Sequence, residues 1–249
     1  MEYIRIFFQI ALFFSMSLLK AQNIDSLKIQ FPRVQQAAIN TQSILEDLCK
    51  NQGLNFPPKH LFLRAFKEEK VLEVWGNDSS DWKLIKKYPI CIVPGKLGPK
   101  IKQGDKQVPE GWYQIDSINP DSDFHLSLRI NYPNQADRIR SKNELDPGGD
   151  IFIHGDCYSV GCIPIEDKPI EEFFWLVVNN LSLNIFQEIP VLILPFDLND
   201  TLKYEKYTHE YSNLKPFWEQ LKSIQMYFED FNQIPNVFIN EEGEYLITF

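Results

Sequence analysis

Apolar side chains recur at helical spacing near both ends of the chain and at strand spacing between them. Residues 23–50 carry them three and four positions apart, which predicts a helix with Pro32 in a first turn. From His60 the period changes to two, which predicts a hairpin turning at 67–70 and strands at 82–91, 112–118, 124–130 and 191–195. This order of elements predicts an α+β fold, in which helices flank a strand-rich core.

The second half of the chain adds further helical patterns. A broad apolar face follows Pro169 and predicts a helix packed behind the strands. Beyond residue 199, large apolar side chains recur every three or four positions, at Tyr207, Tyr211, Leu214, Trp218, Leu221, Ile224, Phe228 and Phe231. We expect this stripe to be core, divided by Pro216, with a glycan-stacking face as the alternative. Residues 236–249 predict a hairpin that turns at 241–243.

The beginning of the chain has the pattern of a secretory signal peptide. Arg5 precedes an apolar run at 6–19, and Ala21 offers a small residue for cleavage. The run is short for a membrane span, although an uncleaved anchor is the alternative. We therefore expect an exported protein of the periplasm or cell envelope, with a signal peptide at 1–21. A helical segment at 22–58, a strand-rich domain at 59–198 and a helical extension with a hairpin at 199–249 would follow.

Composition narrows the class of protein. The 249 residues are 44% hydrophobic, which is enough for one sizeable core. The formal net charge of −9 argues against nucleic acid as a partner, since no general basic surface is available. Four cysteines in a chain of this length do not make a disulfide scaffold. Oligomeric state is not predicted.

The stretch 151–165 contains the candidate catalytic residues. His154 and Cys162 lie within nine residues of each other, between two apolar runs. An imidazole can take the proton of a thiol, and the resulting thiolate is a strong nucleophile. Gly161, directly before Cys162, permits a positive φ or a close approach by substrate. We therefore predict that Cys162 attacks and that His154 is its base.

Structural alternatives remain open for the same residues. Isolated cysteines and histidines are most often structural, since free cysteine is among the most buried residue types. A disulfide between Cys157 and Cys162 is possible in an oxidising compartment. Zinc bound by His154, Cys157 and Cys162 is a third possibility, although a fourth ligand is missing from this pattern. Cys91, on a predicted strand, is expected to be buried.

The segment His154-Gly155 through Ser159-Val160-Gly161-Cys162 resembles the signature of the L,D-transpeptidase (YkuD-type) catalytic domain, and most closely its YafK-like branch. Upstream stretches agree in order over roughly residues 60 to 196: Pro94-Gly95-Lys96-Leu97-Gly98-Pro99-Lys100, Gly104-Asp105, Pro109-Glu110-Gly111-Trp112-Tyr113 and Tyr132-Pro133-Asn134 with Asp137. The resemblance implies a YkuD-like core of mixed β-sheets, with no cofactor and no metal.

The resemblance also implies roles for the residues of the signature. Cys162 would be the nucleophile and His154 its base, oriented by the backbone carbonyl of Gly155. Amides around Gly161 and Cys162 would receive the oxyanion, and Ser159 would shape the turn. Two positions depart from the family: Val160 stands where many members have His, and Pro164 where they have Arg or Asn. Those departures concern the acceptor side of the reaction.

The implied function is that of an exported cell-wall enzyme acting on peptidoglycan stem peptides. A thioester on Cys162 would pass to an amine, which gives a 3-3 cross-link or attaches another protein to the wall. Hydrolysis of the same linkages is the first alternative, and a non-catalytic cell-wall binding protein is the second. The resemblance also implies acylation by carbapenems. A Cys/His ion pair would lower the pKa of the thiol, so alkylation of Cys162 is expected to persist at mildly acidic pH.

Candidates for binding substrate carboxylates come from arginines and from a long loop at 95–111. Arg129 and Arg138 offer the bidentate guanidinium fork. The loop carries Lys96 together with Lys100, Lys102 and Lys106, and long loops within compact domains are often functional. Tyr132, within a matching stretch, completes the predicted substrate-binding set of Arg129, Arg138, Lys96 and Tyr132.

Overall fold

The computed structural model describes residues 24–79, 81–141, 146–183 and 187–248, so the predicted signal peptide lies outside the described residues. Two helices begin the described chain, α1 (Ile24–Gln30) and α2 (Pro32–Asn51). The sequence predicted a single helix here. Phe31 takes an extended conformation before Pro32, as residues preceding proline generally do, and Pro32 occupies the first turn of α2.

An eight-stranded mixed sheet forms the centre of the fold. Its strands in chain order are β1 (His60–Phe66), β2 (Val71–Asn77), β3 (Lys83–Pro89), β4 (Gly111–Ser122), β5 (His125–Ile130), β6 (Phe152–His154), β7 (Ile163–Pro164) and β8 (Pro190–Leu194). The spatial order is β3-β2-β1-β8-β4-β5-β6-β7. β1 pairs with β8 and β6 with β7 in parallel, and the remaining pairs are antiparallel.

The remaining elements are helices and a small hairpin: α3 (Gln135–Arg140), α4 (Asp167–Leu183), α5 (Thr201–Glu210), α6 (Lys215–Phe231), β9 (Asn236–Ile239) and β10 (Tyr245–Thr248). The mixed sheet with its flanking helices confirms the predicted α+β class. Among the described helices, none has the length and apolar character needed to cross a membrane.

Both faces of the sheet are covered, as β1 illustrates. Leu61 and Leu63 belong to a core cluster that also contains residues of α2 and α4. Phe62, between them, belongs to a second cluster with Trp218 and Phe228 of α6. Because successive side chains of a strand point to opposite faces, both faces of β1 are buried. The predicted aromatic stripe of the tail is therefore largely core.

A buried ion pair connects the core to the C-terminal helices. Lys67 donates to the Glu110 carboxylate at 2.9 Å, and both side chains are almost completely buried. The same lysine donates to the carbonyls of Gly98 and Val108, while Trp218 donates to the second Glu110 oxygen. With its donors satisfied in this way, the pair holds the loop that follows β3 against α6.

The stretch around Asn134 has a structural role. Asn134 caps α3 through a capping box in which its side chain accepts from the Asp137 amide and the Asp137 side chain accepts from the Asn134 amide. Asn134 also donates to the hydroxyl of Tyr245 in β10, so it joins α3 to the C-terminal hairpin. Burial raises the pKa of the Asp137 carboxyl to about 6, while Arg140 lowers it.

Candidate active site

The short parallel pair β6–β7 holds His154 at the end of β6 and Cys162 directly before β7. In its register, Ile153 lies beside Ile163 and His154 beside Pro164. Cys162 directly precedes β7, so the same register brings its position opposite Phe152, the first residue of β6. The Phe152 amide donates to Cys162 Sγ at 3.5 Å, and the thiol donates to the Asp150 carbonyl at 3.6 Å. The thiol therefore lies at the Phe152 amide, two residues before His154 on β6.

The imidazole of His154 is held by the backbone beside it. Its Nδ1 contacts the Gly155 carbonyl oxygen, and its ring lies 4.6 Å from that of Phe124. A carbonyl accepts hydrogen bonds only, so we assign the ring proton to Nδ1, which leaves the lone pair of Nε2 for a proton from elsewhere. His154 is only 1% exposed, so its orientation is fixed by packing as well.

Gly155 is required by the closeness of the surrounding chain. A Cβ at this position would lie 2.6 Å from Asp167 Oδ1 and 2.8 Å from the Phe124 carbonyl oxygen. The Gly155 amide donates to the carbonyls of Phe124 and Leu126, which anchors the end of β6. Asp167, at the start of α4, also accepts from the Asp156 amide. The start of α4 and the β4–β5 turn together position the residue that orients His154.

Ser159 closes the turn that carries the thiol. Its hydroxyl donates to the Cys162 carbonyl at 2.8 Å and accepts from the Gly161 amide at 3.1 Å. Gly161 has a φ of +149°, and a Cβ there would approach the Gln107 carbonyl oxygen to 3.2 Å. Since the Gly161 amide is used within the turn, the Cys162 amide is the one of the two without a hydrogen-bond partner in the described part of the chain.

A disulfide joins the same loop to the segment that follows β3. Cys157 is bonded to Cys91, 66 residues away, and both sulfurs are therefore unavailable for other bonds. The alternative disulfide between Cys157 and Cys162 is therefore wrong, and so is zinc bound by His154, Cys157 and Cys162. Cys91 is partly exposed, which corrects its expected burial. Cys162 is a free and partly exposed thiol, whereas Cys49 is free and buried.

Burial changes the protonation expected at the site. Desolvation raises the pKa of the Cys162 thiol, Asp150 raises it further, and Lys100 and the Phe152 amide act in the opposite direction. Desolvation lowers the pKa of His154, while the Gly155 carbonyl and Asp156 partly offset that effect. Both shifts disfavour the charged forms. The directions of these pKa shifts therefore favour a neutral thiol and a neutral imidazole at rest over the expected ion pair.

This protonation state predicts how iodoacetamide should react with Cys162. Because the pKa of the thiol is raised, the alkylation rate should increase about tenfold per pH unit between pH 6 and 8. His154→Ala should leave this pH profile nearly unchanged, since the imidazole does not ionise the resting thiol. Mass spectrometry of the labelled peptide gives the rates. A rate that stays high at pH 5.5 and falls in His154→Ala would instead establish the ion pair.

A cleft of about 440 Å³ opens at Cys162. Three segments line it: the loop that contains Lys100, Gln103, Gly104 and Lys106, the stretch 148–151, and the turn from Val160 to Cys162. The lysine-rich loop was expected to attract carboxylates, and two of its lysines lie here. The contribution of Gln103 and of the 148–151 stretch was missed, because the sequence gives no signal for segments that meet only through the tertiary fold.

The four predicted substrate-binding residues lie outside this lining. Arg129 forms a two-point ion pair with Asp116, at 2.9 and 3.0 Å, and its second contact is Asp150, at 3.8 Å. Arg129 does not line the cleft itself, and its contact with the cleft lining is the one to Asp150. Arg138 is exposed on α3, and Lys96 lines a different cleft.

Tyr132 supports the cleft from behind. It is 5% exposed, and its hydroxyl donates to the Pro147 carbonyl at 2.9 Å. The neighbouring residues Gly148 and Gly149 line the cleft at Cys162. The structure thus gives Tyr132 a contact to the cleft wall, and the catalytic signature is assembled separately by β6, β7 and the turn between them.

Comparison with known proteins agrees with this arrangement. Residues 63–193, just over half of the chain, match the profile of the YkuD L,D-transpeptidase catalytic domain. The chain is 35% identical over 190 residues to "Putative L,D-transpeptidase YafK" of Escherichia coli (strain K12), covering 76% of this chain and 74% of that protein.

Solved structures with a similar fold include the helical cell shape determining protein Pgp2 from Campylobacter jejuni, with a TM-score of 0.44 and 19% identity over 73% of each chain. Mycobacterium tuberculosis L,D-transpeptidase 1 has a TM-score of 0.31 and 13% identity, covering 54% of this chain and 61% of the other. On the strength of the domain match and of the relative from E. coli, this chain belongs to the L,D-transpeptidase family, with a catalytic domain of the YkuD type.

Proposed function

We propose that the chain is an exported cell-wall enzyme, an L,D-transpeptidase that acts on peptidoglycan stem peptides through a thioester on Cys162. The observation that carries this proposal is a free, partly exposed thiol that opens onto a cleft, at the end of the turn that follows His154. The Gly155 carbonyl fixes the Nδ1 side of the His154 imidazole and leaves Nε2 to accept a proton. Nucleophilic catalysis needs this combination of nucleophile, base and orienting group.

The proposed reaction begins at the carbonyl carbon of the third stem residue. Cys162 Sγ attacks it while the thiol proton passes to His154 Nε2, and the Cys162 amide faces the oxyanion. The C–N bond to the terminal D-amino acid then breaks, and the imidazolium returns the proton to the departing amine. An acceptor amine next attacks the thioester, which forms a new amide and regenerates the thiol.

Lys106 is the cation that we expect to contact a stem carboxylate. Lys100 is buried and already binds Asp105 at 2.5 Å and the Lys102 carbonyl at 2.8 Å, so it stabilises the loop. Lys106 is exposed, lines the cleft and has a φ of +54°. Its ammonium group has no carboxylate partner among the residues that the structure describes.

Replacing Lys106 by alanine should raise KM for a tetrapeptide stem about three- to tenfold, with a smaller change in kcat. The substitution removes one solvent-exposed ion pair, which the enzyme would form equally with the bound substrate and with the transition state, so binding is weakened and the chemical step is not. Lys102→Ala is the matched control, because this exposed lysine of the same loop lies outside the cleft lining. Equal effects of the two substitutions would remove Lys106 from substrate binding.

Export is supported by the disulfide between Cys91 and Cys157, since such bonds persist mainly in oxidising compartments. The predicted signal peptide at 1–21 is consistent with it. Expression of the full chain in a Gram-negative host, followed by fractionation, tests the proposal. Recovery of the mature chain in the periplasm or cell envelope with Cys91 and Cys157 oxidised is expected, and a reduced cytoplasmic chain would contradict it.

Hydrolysis is the second candidate reaction because of one feature of the cleft. Val160 stands where many family members carry His; it is 53% exposed and lines the cleft with Cys162. An apolar side chain offers an acceptor amine no hydrogen bond, so water competes for the thioester.

Product masses distinguish the two reactions. Incubation with disaccharide-tetrapeptides should yield 3-3 cross-linked dimers and free D-amino acid if the amine wins. Tripeptides alone would assign the hydrolase, and unchanged substrate would contradict both.

A further inference from the structure

A second cleft, of about 310 Å³, lies between the loop at 93–97 and helix α5. One wall carries Lys96 and Leu97, within the part of the chain that matches the family, and the other carries Tyr207 and Tyr211, beyond it. Glu68 and Lys70, from the turn between β1 and β2, complete the rim. The cleft therefore exists only because the C-terminal extension packs on the catalytic domain.

Two ammonium groups of this cleft are available to a ligand. Lys70 and Lys96 are exposed, and neither forms an ion pair within the described ranges of the chain. Lys67, also in the lining, differs, since its ammonium is used by Glu110 and by the Lys96 and Gly98 carbonyls. In a protein with a formal charge of −9, this cleft thus offers cations suited to a carboxylate.

The aromatic side of the cleft is fixed in place. The Tyr207 hydroxyl donates to Glu68 at 2.7 Å, and its ring packs 4.9 Å from that of Phe196. Tyr211, one turn further along, is partly exposed, and its ring lies 5.9 Å from that of Trp218. A rigid aromatic ring with a phenol hydroxyl suits the C–H face and the hydroxyl groups of a sugar.

We propose that this cleft binds a neighbouring unit of the peptidoglycan polymer, with a sugar ring against Tyr211 and Leu97 and a stem carboxylate on Lys70 and Lys96. The inference rests on the proposed function and names a second site for the same substrate. The loop that contributes Lys96 here contributes Lys100 and Lys106 to the cleft at Cys162. The two clefts share this loop, and under the proposal one polymer chain occupies both.

Occupation of both clefts makes binding bivalent, so the second cleft should matter for turnover of the polymer and not for turnover of single units at Cys162. Lys70→Ala/Lys96→Ala, and separately Tyr211→Ala, should lower kcat/KM on intact peptidoglycan about tenfold. Turnover of a single disaccharide-tetrapeptide and carbapenem acylation of Cys162 should change less than twofold. Lys59→Ala/Lys102→Ala is the control, because it removes the same charge from exposed positions outside both clefts.

Equal losses in the control, or equal losses on polymer and single units, would overturn the proposal. A binding measurement separates it from the proposed function. Calorimetry on Cys162→Ala protein with a disaccharide-tripeptide should show binding that Lys70→Ala/Lys96→Ala weakens and Lys59→Ala/Lys102→Ala preserves, whether or not the wild type turns substrate over. If an uncharged N-acetylglucosamine oligomer bound as tightly as the disaccharide-tripeptide, the proposed role of the lysines would be overturned.

Discussion

Replacing Cys162 by alanine should lower kcat/KM for release of the terminal D-amino acid by on the order of 10⁴-fold or more. The substitution removes the atom that forms the thioester, and no other thiol can take over. Cys91 and Cys157 are bonded to each other, and Cys49 is buried in the core. The measurement is the rate of D-amino acid release from a disaccharide-tetrapeptide.

Cys49→Ala is the matched control for this loss. Burial, together with the nearby Asp78 carboxylate, raises the pKa of the Cys49 thiol to about 12. A thiol so disposed to stay protonated, with no exposed surface, is not a nucleophile. The control should keep wild-type turnover, with its fold checked by circular dichroism. Activity that survives in Cys162→Ala and falls in Cys49→Ala would contradict the account, because it would make Cys49 the nucleophile.

The double substitution Cys91→Ala/Cys157→Ala should lower the free energy of unfolding by about 4 kcal/mol. The disulfide spans a sequence separation of 66 residues, and opening it restores conformational entropy to the unfolded chain. Urea unfolding of the two proteins without reductant measures the difference. The disulfide should stabilise the candidate active site in particular, because Cys157 lies between His154 and Cys162 in the chain.

Reductant provides the control for this prediction. Dithiothreitol should destabilise the wild type and Cys49→Ala to the level of the double variant, and should leave the double variant unchanged. Turnover should fall with stability, because the loop from Gly155 to Cys162 loses its covalent attachment to the segment that follows β3. A wild-type unfolding midpoint that does not respond to reduction would show that the disulfide stabilises neither the fold nor the loop.

Local patterns were sufficient to predict much of the fold. Helical spacing on α6 follows directly from which side chains contact the core, so its period is visible in sequence. The division at Phe31 was missed because Pro32 is compatible both with the first turn of a long helix and with the start of a new one. The C-terminal helices likewise separate near Tyr211, and Pro216 lies in the first turn of α6.

The site was predictable only where its residues are close in sequence. His154 and Cys162 could be named because only a short turn separates them in the chain. Cys91 and Cys157 are 66 residues apart, so nothing local indicated their bond. Burial of a titratable group is also a tertiary property, which is why the sequence led to an ion pair where the structure supports neutral groups.

The positions of the arginines show the same limit. A guanidinium is a sound candidate for binding a carboxylate, but the sequence does not say which carboxylate is nearest. Arg129 forms its ion pair with Asp116 on the neighbouring strand, so its guanidinium is already paired. Lys106 gave no stronger signal in sequence than Lys96, and only the course of the loop distinguishes the clefts that they line.

The central claim is that Cys162 becomes acylated by a stem peptide while His154 accepts its proton. The most direct measurement is mass spectrometry of the protein quenched in acid during turnover of a disaccharide-tetrapeptide. We expect a thioester adduct with the mass of the disaccharide-tripeptide acyl group, mapped to Cys162 and strongly reduced in His154→Ala. Products that accumulate with no adduct on Cys162, or an adduct that forms equally fast without His154, would contradict the account.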